Sequence, residues 1–152
     1  MSEELLEVGR VVDLPYRYAA GEHASRFLSE LREGRLLAGK CRHCGLVLVP
    51  PRPVCAGCRH PEHDDVFVGP HGTLVGWTVL TFPFLDPHTG APRPLPYAYG
   101  MIRFEGADNT FQYFVEETDA SKLRFGMRVE ARFAAERQGK LSDLLPFRVL
   151  SD

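Results

Sequence analysis

Four cysteines occur in this chain of 152 residues, and all of them fall inside one short stretch: Cys41-Arg42-His43-Cys44-Gly45, then Leu46 to Val54, then Cys55-Ala56-Gly57-Cys58. Each pair encloses two residues, and ten residues separate the pairs. Two thiolates three positions apart are presented by one tight turn, and two such turns facing each other supply the tetrahedral sulfur set that zinc takes in closed structural sites. Cys41, Cys44, Cys55 and Cys58 are therefore expected to be metal ligands. Gly45 supports the first turn, where a Cβ would obstruct the backbone. Arg59 follows the second pair instead, so that turn is expected to be less ideal. The competing uses of these cysteines are disulfides and a redox dithiol. No apolar signal segment is visible in Met1 to Asp13, so a cytoplasmic location is expected, where disulfides are unstable. A doubled pair at ribbon spacing also argues against a redox dithiol. Zinc is the expected ion; a mononuclear iron also suits four thiolates, and spacing does not separate the two.

The remaining composition sets the scale. An apolar content of 44% allows one domain with a real core, or two small modules sharing one. A net charge of −2 argues against a protein devoted to neutralising phosphate backbones. No apolar run approaches membrane-spanning length. The ribbon nevertheless has a local bias: Arg35, Lys40, Arg42, Arg52 and Arg59 lie between residues 35 and 60 with no acidic residue among them. Cations there offset the negative charge of a tetrathiolate. The alternative is an anion site, for a nucleic-acid phosphate or for a nucleotide-like ligand such as coenzyme A. His43 and His60 beside the turns are expected to be exposed and not ligands, since four thiolates are already present.

Taken in order, residues 1–22 mix acidic residues with Leu5, Leu6, Val8, Val11, Val12, Leu14, Tyr16 and Tyr18, and read as an arm that lies on its own domain or on a partner, with the partner slightly favoured. Residues 23–35 carry a helix, with Phe27, Leu28 and Leu31 on one stripe and Gly34 ending it. Residues 36–68 form the zinc ribbon: a short strand over 35–40 delivers the first turn, 46–49 returns, and Pro50-Pro51-Arg52-Pro53 holds the second turn in place. From 69 to 152 the chain is β. Strands are expected over 72–82, 97–104, 110–116, 127–134 and 146–150, with turn chemistry at 105–109 and one helical turn within 118–125. Five strands with a helix between the third and fourth is the order of a Greek-key OB barrel, and Gly76 and Gly100 fit its tight bends. The fold expectation is thus mainly β: a helix, a rubredoxin-like zinc ribbon and a five-stranded OB barrel.

Between the first two barrel strands, residues 82–96 form a loop stiffened by Pro83, Pro87, Pro92, Pro94 and Pro96, so little freedom would be lost on binding. Asp86 and His88 read as turn formers rather than an acid–base pair. Arg93, between two prolines, is a candidate contact residue. The aromatics Tyr97, Tyr99, Phe111 and Tyr113 have the placement that a single-strand binder uses for stacking. Glu105, Asp108, Glu116, Glu117 and Asp119 at the strand ends oppose a phosphate backbone, so these rings read as core or as a protein-binding face.

The order of these parts resembles a known family. A helix, the pattern Cys-x-x-Cys-Gly then Pro-Pro-Arg then Cys-x-x-Cys, and a C-terminal barrel with a Gly-Met-x-Val strand (Gly126-Met127-Arg128-Val129) are similar to domain-of-unknown-function family thirty-five. The resemblance covers roughly residues 27–150 and departs at Arg59, where glycine is common. The arm before Ala24 is outside it. What it implies is a non-catalytic accessory subunit assembled with a thiolase-superfamily protein: a ketoacyl-CoA thiolase, a sterol-carrier-type thiolase or a retro-aldolase. In that role ribbon and barrel help hold acyl-CoA and complete the partner's channel, in lipid, steroid or related acyl-CoA metabolism, with no organic cofactor of this chain's own. Arg42, Arg52 and Arg93 are the candidate ligand contacts. The sequence agrees by omission, because every cysteine is spent on metal and neither a serine–histidine–carboxylate set nor a Gly-rich phosphate loop is present. The alternative is a stand-alone single-stranded nucleic-acid-binding module, which would bind in a salt-sensitive way.

Overall fold

The computed structural model describes residues 17–86 and 90–150. Most of the segment read as an arm, residues 1–16, lies outside the described residues, as does His88 with its neighbours Pro87 and Thr89. Helix α1 spans Glu22–Arg32 and buries Phe27 and Leu31. It stops where the stripe predicts. Gly34 takes φ 73°, its N–H donates to the Leu31 carbonyl and the Arg35 N–H to the Glu30 carbonyl, the pair of bonds that closes a helix on a left-handed glycine.

Three strands make the ribbon sheet: β1 (Leu36–Cys41), β2 (Val47–Leu48) and β3 (His63–Val68), in the order β2-β1-β3. β1 pairs antiparallel with β2 and, along its whole length, with β3. β3 was not foreseen. It begins His63-Asp64-Asp65, polar and poor in strand formers, and only Val68 is buried. Its conformation comes from the hydrogen-bonding edge that β1 offers, a case of context overriding propensity.

Five strands close the barrel: β4 (His71–Leu80), β5 (Tyr97–Phe104), β6 (Phe111–Val115), β7 (Arg128–Phe133) and β8 (Leu144–Val149), ordered β4-β5-β6-β8-β7, with β7 returning to β4. A 3-10 turn at Ala120–Lys122 stands where one helical turn was expected, and a second at Leu141–Asp143 was not foreseen. The strands alternate as half-buried strands must: Ala98, Gly100, Ile102 and Phe104 of β5 and Phe111, Tyr113 and Val115 of β6 point inward. The two glycines read as bends differ in their role. Gly76 follows a shift in the β4–β5 register, a bulge that turns the strand. At Gly100 a Cβ would stand 2.7 Å from Val115 Cγ2 and 2.8 Å from Leu74 Cδ1, so the core itself excludes a side chain there.

Ribbon and barrel share one core. Phe27 and Leu31 of α1, Leu36, Leu37 and Val49 of the ribbon, and Leu74, Ile102, Phe104 and Phe147 of the barrel belong to a single buried cluster. The turn between β5 and β6 joins the two modules. Asp108 exchanges backbone and side-chain bonds with Val47, at 2.9 and 2.7 Å. Asn109 brackets Val49, accepting from its N–H at 2.9 Å and donating to its carbonyl at 2.8 Å.

Candidate metal centre and barrel cleft

Two matching turns present the cysteines. The N–H of Gly45 donates to the Cys41 carbonyl at 2.9 Å, and that of Arg59 to the Cys55 carbonyl, also at 2.9 Å. Both closing residues take positive φ, 78° at Gly45 and 62° at Arg59. Arg59 thus adopts the glycine conformation that its position demands, with the strain of a Cβ there. The four sulfur atoms lie within 4.8 Å of one another. Cys41 and Cys58 Sγ are 3.5 Å apart, Cys44 and Cys55 Sγ 3.6 Å. With Zn–S near 2.3 Å, the edge of a regular tetrathiolate tetrahedron is about 3.8 Å. The donor set therefore fits zinc or a similar thiolate-seeking ion, and the chemistry such an ion supplies in a closed four-sulfur site is folding energy.

The electrostatics favour ionisation at one thiol of each pair, Cys41 and Cys55. The backbone N–H groups of Cys44 and His43 bring Cys41 down to about 6, against burial, which raises it. At Cys58 the backbone N–H of His60 pulls the same way, yet burial and the three neighbouring thiols push it up to about 12. Four thiols this close resist sharing negative charge without a cation. His43 and His60 stack face to face, centroids 5.4 Å apart and 7° from parallel. Arg52 lines the small recess beside Cys41, Cys55 and His60.

The basic residues of the ribbon are partly spoken for by acids elsewhere. Arg35 pairs with Glu30 at 2.6 Å and lies over the Phe67 ring. Arg42 pairs with Asp64 at 2.7 Å, a bond that holds its guanidinium above the usual range. Arg52 forms no ion pair among the described residues. Arg93 is turned to its own loop: it bonds Asp86 at 2.5 Å and stands 3.6 Å over the Phe114 ring. The three arginines expected as ligand contacts thus have three different surroundings.

A second feature was only partly legible. A cleft of about 630 Å³ opens on the barrel surface, lined by Thr78, Leu80, Phe82, Phe84, Asp86, Tyr97, Tyr99, Tyr113, Phe114 and Leu141. The prolines at 82–96 read as stiffness. The cleft itself depends on Phe114, which sequence reading passed over although it alternates with the core positions of β6. Tyr97, Phe111 and Tyr113 are buried, each under a tenth exposed. The Tyr113 hydroxyl donates to the Leu141 and Leu144 carbonyls, and burial pushes it up to about 12.

Comparison with known proteins agrees with this architecture. Residues 28–64 match the family model described as "ChsH2, rubredoxin-like zinc ribbon domain", and residues 65–134 match "ChsH2, C-terminal OB-fold domain". A "DUF35 domain-containing scaffold protein" of Pyrococcus furiosus is 26% identical over 107 residues, which is 70% of this chain and 74% of that protein. Among solved structures, the "Ltp2-ChsH2(DUF35) aldolase" superposes with a TM-score of 0.65 at 19% identity, covering 88% of this chain and 98% of the matched one. A DUF35 protein of Sulfolobus solfataricus superposes with a TM-score of 0.60 at 21% identity, covering 87% of each. No helix among the described residues is long and apolar enough to cross a membrane. With consecutive family models spanning ribbon and barrel, the chain belongs to the DUF35 family of paired zinc-ribbon and OB-fold proteins.

Proposed function

We propose that this chain is a non-catalytic accessory subunit of a thiolase-superfamily complex, a ketoacyl-CoA thiolase, sterol-carrier-type thiolase or retro-aldolase, in which it helps hold acyl-CoA and completes the partner's channel. The observation that carries this reading is the convergence of all four cysteines on one sulfur cluster, which leaves no thiol to act as a nucleophile. Among the described residues Ser29 donates to the Ser25 carbonyl and Ser121 to Asp119, neither to a histidine. The Pyrococcus furiosus relative is named a scaffold protein, and a solved aldolase whose chain shares this fold is named for two components. Zinc held by Cys41, Cys44, Cys55 and Cys58 is structural in this account.

The partner is met through the arm, the helix and one barrel face. The barrel face favoured is the one that exposes Phe82, Phe84, Leu85 and Leu95, apolar surface that a solitary protein has little reason to keep in water. Arg52, with no ion pair among the described residues, is the arginine best placed to meet a CoA phosphate, and Arg42 would first have to leave Asp64. The burial of Tyr97, Phe111 and Tyr113 removes most of the stacking platform a nucleic-acid module would need. Co-expression with a thiolase-like protein tests the reading. A stable complex on gel filtration is expected, and separate elution at micromolar concentration rejects it.

A further inference from the structure

We infer that the cleft beneath the β4–β5 hairpin is a binding site for an uncharged, ring-bearing apolar compound, and that this chain binds it without a partner. The inference goes beyond the accessory role and does not depend on it. Its volume of about 630 Å³ falls within the range of small-molecule sites, about 300–1,000 Å³. Two of the polar groups on its lining are already engaged. The Tyr113 hydroxyl is spent on the Leu141 and Leu144 carbonyls, and the Asp86 carboxylate is held by Arg93. A charged ligand would lose its water against walls made mostly of rings and aliphatic side chains, for little return. The lining therefore disfavours phosphates and carboxylates.

The walls select rings over linear chains. Tyr97, Tyr99 and Tyr113 stand edge-on to Phe114, at 6.0, 5.2 and 5.3 Å and 65°, 79° and 71°. A planar ligand extends this arrangement through offset and edge contacts. A flexible chain of equal area loses a rotor's freedom at every bond and gains no such geometry. The two described arms of the loop are tied to each other. The Asp86 N–H donates to the Ala91 carbonyl and the Arg93 N–H to that of Phe84, both at 2.9 Å, and Leu85 bridges Pro92. The guanidinium of Arg93 over Phe114 fastens this hairpin to the barrel.

The test is titration of the purified full chain with 1-aminoanthracene, an uncharged fused-ring dye whose emission rises in apolar surroundings. One saturable site per chain is expected. Thr78→Trp plants a bulky ring in the cleft from an exposed strand position where aromatics are tolerated, and should weaken binding by at least about tenfold with the melting temperature held. Phe84→Ala, on the hairpin and outside the core, should weaken it about fivefold. Ala20→Trp, beside the separate cleft between α1 and β6, should leave it within about twofold. 2-Naphthol should displace the dye and decan-1-ol at equal concentration should not. The inference is overturned by a folded chain with no saturable signal, by Thr78→Trp and Phe84→Ala binding like the parent, by loss of binding in Ala20→Trp, or by decan-1-ol competing as well as naphthol.

Discussion

Asp143 is a buried charge to which the barrel is committed. It is 4% exposed, and its Oδ2 accepts the N–H groups of Gln138, Gly139 and Lys140 at 3.0, 2.6 and 3.0 Å. Burial alone would raise its pKa, but the three donors prevail and hold the carboxyl below its usual range. Because the folded value lies below the unfolded one, the stabilisation is fully present above about pH 4 and drains away as pH falls through the folded value. Asp143→Ala should therefore cost about 2 kcal/mol at pH 7, with the gap to the parent narrowing below about pH 4 in urea unfolding; a gap independent of pH would contradict the assignment. Arg59 makes the opposite case. Its φ of 62° carries a left-handed penalty of about 1 kcal/mol that glycine does not, partly offset by glycine's freer unfolded chain. Arg59→Gly should raise stability by about 0.5 kcal/mol with metal content unchanged, and a clear loss in thermal unfolding would contradict it. The imperfection at Arg59 was legible, because a doubled Cys-x-x-Cys shows where each turn must close. Asp143 was not: its three donors lie only three to five residues earlier, but a Gln-Gly-Lys turn before an aspartate reads as an exposed loop, and the burial comes from the barrel around it.

Among the elements, the cysteine turns and the β5–β6 turn set how the halves meet. Cys41→Ser or Cys55→Ser should lower metal content below one ion per chain and destabilise the ribbon, since the binding energy of a structural site is folding energy. Full occupancy in both variants by metal analysis would mean that other groups hold the ion. The turn at 105–109 read from sequence as hairpin chemistry, and it is a hairpin. Its larger role, the clasp from Asp108 and Asn109 to Val47 and Val49, joins residues about sixty positions apart, beyond any local pattern. Asn109→Ala strands the backbone groups of Val49 and should cost about 1–3 kcal/mol in denaturant unfolding with the metal still bound; an unchanged midpoint would show the clasp to be idle. The same distinction explains β3. Alternation and β-branched residues announced β4, β5 and β6, whereas a strand opening on His63-Asp64-Asp65 is made by its neighbour.

At the scale of the whole molecule, a single buried cluster runs from α1 through the ribbon into the barrel. Helix, ribbon sheet and barrel therefore act as one scaffold rather than as linked modules. The class of this scaffold was readable from cysteine spacing and strand order. The aromatic cleft was not, because it is assembled from β4, β5, β6 and a loop that packs back on them. What the scaffold leaves in water is apolar loop surface, and what it commits to its interior is its sulfur. The central claim is that chemistry takes place on another protein's residues, and the most direct measurement is acyl-thioester turnover by the purified chain with and without a thiolase-like partner. The account predicts no turnover by the chain alone and a rate with both proteins above that of the partner by itself. Sustained cleavage by the isolated chain, or a partner rate that does not change on adding it, would contradict the account.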